Sequence, residues 1–391
     1  MKKKKTFLYT LPICFALLCA SCGQAPEPAQ ANSEAILADT GTVPDMPSTE
    51  TGVAAKAPDT VPTSETSAHK PDPAGADGEA VVGIVTYVGG IEDESFNQSA
   101  WEGLQRLSGA TDCGTEFFES ASEVDFAQHI DELIGKGGDL CWGIGYSCAD
   151  ELLKKAEKHP DISFAIVDYA YPQTPVNMTG VMFRAQEPSF LVGFIAGNVT
   201  QTNKVGFVGG ESNEVIDQFQ YGYQAGVAYA AAKLGKTIDV DVVYAGSFDD
   251  PFQGKELASG LYQDGCDIVF HAAGESGIGV IEAAEETGNY AIGADKDQSY
   301  LAPDHVLTSA MKYVNTAVFQ VSSDYLNGKK IGGQTISFGL AENAVGVSEN
   351  HSLYSDSVYE QMTALQKEII SGKICPPSDQ TTYDTFLKTL K

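Results

Sequence analysis

The feature that most restricts the fold is a pattern that runs for about 110 residues and then starts again. Short β-rich runs alternate with helical stretches from residue 80 onward. Strand candidates are 81–87, 115–119, 139–143, 162–167, 204–208, 239–244, 267–270 and 290–293, and Lys312 closes one more run, "HVLTSAMK". Between them Phe96, Ala100, Leu104 and Leu107 recur at helical spacing, as do Ile216, Phe219, Tyr223, Val227 and Ala230. Repeated βα units require parallel sheets with helices on both faces. "NKVGFVGG" (203–210) mimics "AVVGIVTYVGG" (80–90): a strand, then paired glycines, then a polar turn, a phenylalanine and a helix. The chain reads as two similar α/β lobes with a boundary near residue 200. Ligands of such folds sit outside the carboxyl ends of the strands, which places the site in the cleft between the lobes.

The residues before this pattern are of a different kind. Residues 1–21 carry four lysines and then a short apolar run, the form of a signal peptide and too short for a membrane span. Cys22 follows small Ala20 and Ser21 in "CASCGQ", which resembles the lipobox of bacterial lipoproteins, although Cys19 stands where that pattern prefers leucine. Cys22 is therefore the expected lipidation site. The rest of 22–79 is rich in Pro, Ala, Ser, Thr and acids and poor in aromatics, so it buries too little apolar surface to order itself. It reads as a disordered tether reaching on the order of 40 Å. The expected location is the outer side of a bacterial cell membrane, held by lipid alone.

The formal net charge is −29, and removal of 1–21 leaves about −33. Such a surface repels nucleic acid and anionic headgroups and disfavours phosphorylated ligands. Beyond Cys22, five cysteines remain (Cys113, Cys141, Cys148, Cys266 and Cys375) without metal-type spacing. Cys141 and Cys148 either pair or remain buried thiols.

Several polar residues fall where a strand has just ended: Asp168, Asp295, Lys312, and Asp249 with Asp250. Carboxylates there suit paired hydroxyls, as on a sugar, or else cap a turn; Asp250, before Pro251, reads as a cap. In "GGIEDESFNQSAW" (89–101), Ser95 and Gln98 have capping-box spacing, while Asp93, Phe96 and Asn97 read as a ligand wall on that helix start. Phe96 and Phe219 hold corresponding places in the two lobes, as two rings able to clamp a flat base or as core. "HAAGESGIGVIEAA" (271–284) sets glycines between a strand and a helix, letting a ligand approach the backbone. It lacks the G-x-G-x-x-G fingerprint, and "AAAKLGKT" (230–237) lacks the first glycine of a phosphate loop.

Together, "GGIEDESFNQSAWEG", "FRAQEPSFLVGFIAG" (183–197), "KVGFVGG…FQYGYQAG" (204–226), "GSFDDPFQGKE" (246–256) and "IGADKDQ…LTSAMKYV" (292–314) resemble the basic membrane protein family of bacterial substrate-binding lipoproteins. The resemblance implies a two-lobed type I periplasmic-binding fold with three crossovers. Residues 80–200 and about 312–340 would form one lobe, and 201–311 with 341–391 the other. It implies a receptor, not an enzyme and without cofactor, that delivers a purine nucleoside (adenosine, guanosine or inosine) to an ABC permease. Asp93 and Asn97 would read the purine edge, Phe96 and Phe219 stack on it, and Asp168 and Asp295 hold ribose hydroxyls. Lys312 would add a hydrogen bond, and Gly274 would admit the sugar; Glu275 is a departure beside it. A sugar or autoinducer-like ligand is the alternative, followed by a nucleoside hydrolase.

Overall fold

The computed structural model describes residues 79–86 and 89–390. The expected signal peptide, lipid-bearing Cys22 and the tether as far as residue 78 lie outside the described residues. The chain opens with β1 (Val81–Thr86), α1 (Phe96–Ala110), β2 (Gly114–Glu119), α2 (Glu123–Gly135) and β3 (Gly138–Ile144). A 3₁₀ turn at Tyr146–Cys148 leads into α3 (Ala149–Lys158), β4 (Ser163–Val167), β5 (Met178–Phe183) and α4 (Gln186–Val199). Next come β6 (Lys204–Gly209), α5 (Glu214–Leu234), β7 (Asp239–Tyr244), α6 (Pro251–Gln263), β8 (Ile268–Ala272) and α7 (Ser276–Thr287). The last part is β9 (Tyr290–Asp295), β10 (Val306–Lys312), α8 (Val314–Leu326), β11 (Gln334–Phe338), β12 (Val345–Val347), α9 (Asp356–Ile370) and α10 (Gln380–Thr389).

Two sheets result, with orders β11-β5-β4-β3-β1-β2 and β12-β10-β9-β8-β6-β7. Strands β6 to β10 therefore hold the places that β1 to β5 hold in the first sheet. Pairing is parallel except between β12 and β10. Central β1 and β8 are buried along their whole length, as parallel strands covered on both faces must be. The edge strands β7 and β11 stay half-buried or exposed over most of theirs.

The chain passes between the sheets three times: after β5, after β10 and between β11 and β12. After β10, α8 lies against α1, where the Asn315 backbone N–H donates to Ser99 Oγ at 3.2 Å. Buried Trp142 of β3 donates its indole N–H to Ser322 Oγ of α8 at 3.0 Å. α4 and α5 meet backbone to backbone. A side chain at Gly222 or Gly226 would place Cβ 2.6 Å from the Gln186 carbonyl oxygen or 2.0 Å from that of Phe190. That contact explains two glycines that otherwise cost helix stability, about 1 kcal/mol each against alanine. Cys141 and Cys148 are separate buried thiols.

The strand candidates do not include β5, β11 and β12. β5 follows β4 without an intervening helix, so a βα alternation leaves no place for it. β11 is an edge strand, and β12 has only three residues.

Candidate ligand-binding site

The first wall is built on the start of α1. The Asp93 carboxylate, buried before the helix, accepts three backbone N–H groups: Oδ1 from Ser95 and Gln98, each at 3.0 Å, and Oδ2 from Asn97 at 2.8 Å. Those are the donors a helix start leaves without partners. The expected capping box of Ser95 and Gln98 is not formed. Ser95 occupies the N-cap position, but its side chain makes no cap hydrogen bond; its hydroxyl instead donates to Asp295 Oδ2 at 2.5 Å, across to the second sheet. Asp93 does the capping with two oxygens, which a single hydroxyl cannot do for three donors.

The other polar groups come from strand ends. Asp168 follows β4 and Asp295 ends β9, the equivalent strand of the second sheet. Both adopt left-handed backbone, φ +63° and +65°, a conformation rarely taken outside glycine. The turn after the strand is thereby tightened, and each carboxylate lines the cavity at its strand end. Lys312, at the end of β10 and 2% exposed, donates to Asp168 Oδ2 at 2.5 Å. Its ammonium lies 4.6 Å from the Phe96 ring centroid and 5.9 Å from that of Phe219, so rings from both lobes face one cation.

These groups enclose a cavity of about 760 Å³, its open mouth included, lined by all eight residues read from the sequence: Asp93, Phe96, Asn97, Asp168, Phe219, Gly274, Asp295 and Lys312. Three carboxylates face one ammonium. Burial raises the Asp93 carboxyl to about 6, against its three N–H donors and with a small push from Asp295. Burial also raises Asp295, opposed by Lys312 and the Ser95 hydroxyl and reinforced by Asp168. This environment favours a neutral, hydrogen-bond-donating ligand over an anion. Among the described residues no His, Cys, Asp or Glu side chains gather in threes to hold a metal, and no helix is long and apolar enough to cross a membrane.

The family model for ABC transporter substrate-binding proteins of the PnrA-like type matches residues 80–380. The chain belongs to this family. Basic membrane protein A of Borreliella burgdorferi is 39% identical over 305 residues, covering 77% of this chain and 88% of that protein. Basic membrane protein D of the same species is 37% identical over 321 residues, covering 80% and 92%. The crystal structure of an ABC transporter solute-binding protein from Aeropyrum pernix superposes with a TM-score of 0.72 at 26% identity, covering 80% of this chain and 97% of that one. The two-lobed periplasmic-binding architecture and the substrate-binding class follow for this family member.

Phe96 and Phe219 meet at the cavity from different depths. Phe96 is the first residue of α1, whereas Phe219 lies more than a turn inside α5 and is 3% exposed. Asp249 and Glu275 are not among the lining residues, and Asp250 caps α6 by accepting the Gln253 N–H at 3.0 Å. Sequence reasoning misses Tyr146, Ser147, Val215, Ile216 and Phe248, which also line the cavity. Tyr146 and Phe248 follow the ends of β3 and β7, so the strand-end rule that selects Asp168 would find them if it admitted aromatic residues. Val215 and Ile216 carry no such signal, because an apolar helix residue reads as core.

Proposed function

We propose that this family member is the extracytoplasmic receptor of an ABC importer and that it binds a purine nucleoside in this cleft, closing on it and releasing it unchanged. The observation that carries the reading is the placement of Phe96 and Phe219. They reach one ammonium from opposite lobes, between left-handed Asp168 and Asp295. A planar base fits between two rings, where stacking contributes roughly 1–3 kcal/mol per base. Ribose hydroxyls are donors suited to the further lone pairs of these carboxylates. Asp93 and Asn97 offer acceptor and amide groups to the base edge. The surplus of negative charge selects against a 5′-phosphate. The tether and Cys22 would hold this receptor at the membrane beside its permease.

Calorimetric titration of purified protein, unfolded and refolded to strip carried ligand, tests this. Adenosine, guanosine or inosine should bind with micromolar Kd or tighter, about −8 kcal/mol, and be recovered intact, while AMP binds far more weakly. Binding by ribose alone would favour the sugar-receptor reading, and hydrolysed nucleoside would make the protein an enzyme.

A further inference from the structure

Glu94 stands one residue from Asp93 and from Ser95, in the turn that carries the first wall, and its backbone is left-handed at φ +52°. That conformation is costly for a glutamate. Among the described residues, both hydrogen bonds of Glu94 come from the second lobe. Gln298 Nε2 donates to its carbonyl at 3.2 Å, and the Tyr300 phenol donates to its carboxylate. On the gripping side Gln298 is fixed by burial, whereas Tyr300 is exposed. Gln298 is fully buried, and its Oε1 accepts the Ala294 N–H at 3.0 Å and bonds His271 Nε2 at 2.9 Å. Its own N–H donates to Ser309 Oγ at 3.2 Å.

A counterpart joins the lobes the other way round. Glu211 follows the paired glycines Gly209 and Gly210 of the second lobe, and its carboxylate accepts the phenol of Tyr146 at 2.6 Å, from the first lobe. Each lobe thus offers a glutamate from its glycine turn, before its first helix, to a tyrosine of the other. Tyr146 also lines the cavity, and Glu94 shares its turn with Asp93. Both contacts are therefore coupled to the ligand walls, yet neither glutamate is among the lining residues.

We propose that Glu94, gripped by Gln298 and Tyr300, and Glu211, gripped by Tyr146, are reciprocal latches that set how long the closed cleft retains its ligand. The proposal rests on the nucleoside reading for the choice of probe. A phenol bound to a carboxylate is a charge-assisted bond that exists only while the lobes are together. Opening breaks it and frees Glu94 from a strained conformation. The latches act on the closed form, so they govern dissociation and leave encounter with the open cleft alone. Tyr146, Gln298 and Tyr300 are positioning residues here.

The test uses Glu211→Ala, Tyr300→Phe and the double variant, at residues outside the cavity lining, with inosine association and dissociation followed by stopped-flow tryptophan fluorescence. Each single variant should raise the dissociation rate by about 3- to 10-fold and the double by about 10- to 50-fold, a scale set by loss of partly exposed charge-assisted bonds. Association should not slow, and Tm should hold. Glu94→Gln, which keeps an acceptor, should retain more of the slow dissociation than Glu94→Ala. Hydrogen exchange of the ligand-free protein provides a readout independent of the nucleoside: the double variant should lose protection at the amides of Ser95, Asn97 and Gln98, beside Glu94, and of Val215 and Ile216, beside Glu211. If the wild type ignores nucleosides, only the ligand assignment fails, and the exchange result decides the latches. Unchanged dissociation with unchanged exchange, or a loss confined to association, overturns them.

Discussion

The two lobes begin alike and finish their first turn differently. After β1 the helix start is capped by Asp93, a buried carboxylate facing the cavity. After β6 the same task falls to Asn213, whose neutral amide oxygen accepts the N–H groups of Val215 at 2.9 Å and Ile216 at 3.1 Å. Asn213 is not a lining residue, and what that helix start turns toward the cavity is apolar: Val215, Ile216 and Phe219. One helix start offers a charged wall and the other a greasy one. A duplicated scaffold gives strand ends on both sides of a cleft, and small changes in where the cap sits make the site asymmetric. That asymmetry suits a ligand with a hydrogen-bonding edge and flat apolar faces.

The harshest way to break this contrast is to remove the cation that both walls share. Lys312→Met leaves Asp168 buried without its partner, and loss of one member of a buried pair costs about 3–5 kcal/mol. Urea unfolding should show that loss, with nucleoside binding abolished. Next come the two rings. Phe219→Ala removes a buried core side chain packed near Phe270 and should cost about 3–4 kcal/mol as well as affinity. Phe96→Ala, at a half-buried helix start, should reduce nucleoside affinity far more than stability. Equal losses at Phe96 would return it to the core.

The caps sharpen the comparison further. Asp93→Ala and Asn213→Ala should each lower stability by about 1–2 kcal/mol in urea unfolding, but only Asp93→Ala should weaken ligand binding. A pH slope gives a further contrast. Asp93, raised to about 6 from 3.8, stabilises the fold at low pH, and this is lost as pH rises through about 6. His271, buried neutral with its imidazole lowered to about 4 from 6.5, does the reverse: its contribution is full above 6.5 and lost as pH falls toward 4. Between pH 4 and 6 the two oppose each other and stability should be nearly level. Asp93→Asn removes one of them, so stability should then fall by about 1.4 kcal/mol per pH unit on acidification. A level profile in that variant would contradict the His271 assignment, and a wild type that slopes as steeply as the variant would contradict that of Asp93.

Much of the fold and of the cleft is legible in the amino-acid sequence, because strand ends and glycine turns are local signals. "NKVGFVGG" repeating "AVVGIVTYVGG" marks two lobes, and Asp168, Asp295 and Lys312 stand out as polar residues closing apolar runs. What stays hidden depends on distant partners. Ser95 has the right spacing for a capping box, yet its hydroxyl is drawn away by Asp295, two hundred residues on. Tyr146 sits in "CWGIGYSC", where the cysteines invite attention and the phenol finds its use only beside Glu211. β11 and β12 escape notice because short edge strands carry little pattern of their own.

The most direct test of the divided cleft is calorimetry with inosine, hypoxanthine and ribose on three proteins: wild type, Asp93→Asn and Asp295→Ala. If the first wall reads the base and the strand-end carboxylates hold the sugar, Asp93→Asn weakens inosine and hypoxanthine by the same factor. Asp295→Ala should weaken inosine by about 10-fold or more, the scale of a lost hydrogen bond to a charged group, while leaving hypoxanthine unchanged. Equal weakening of inosine and hypoxanthine by Asp295→Ala, or a wild type that binds ribose and neither purine, would contradict the account.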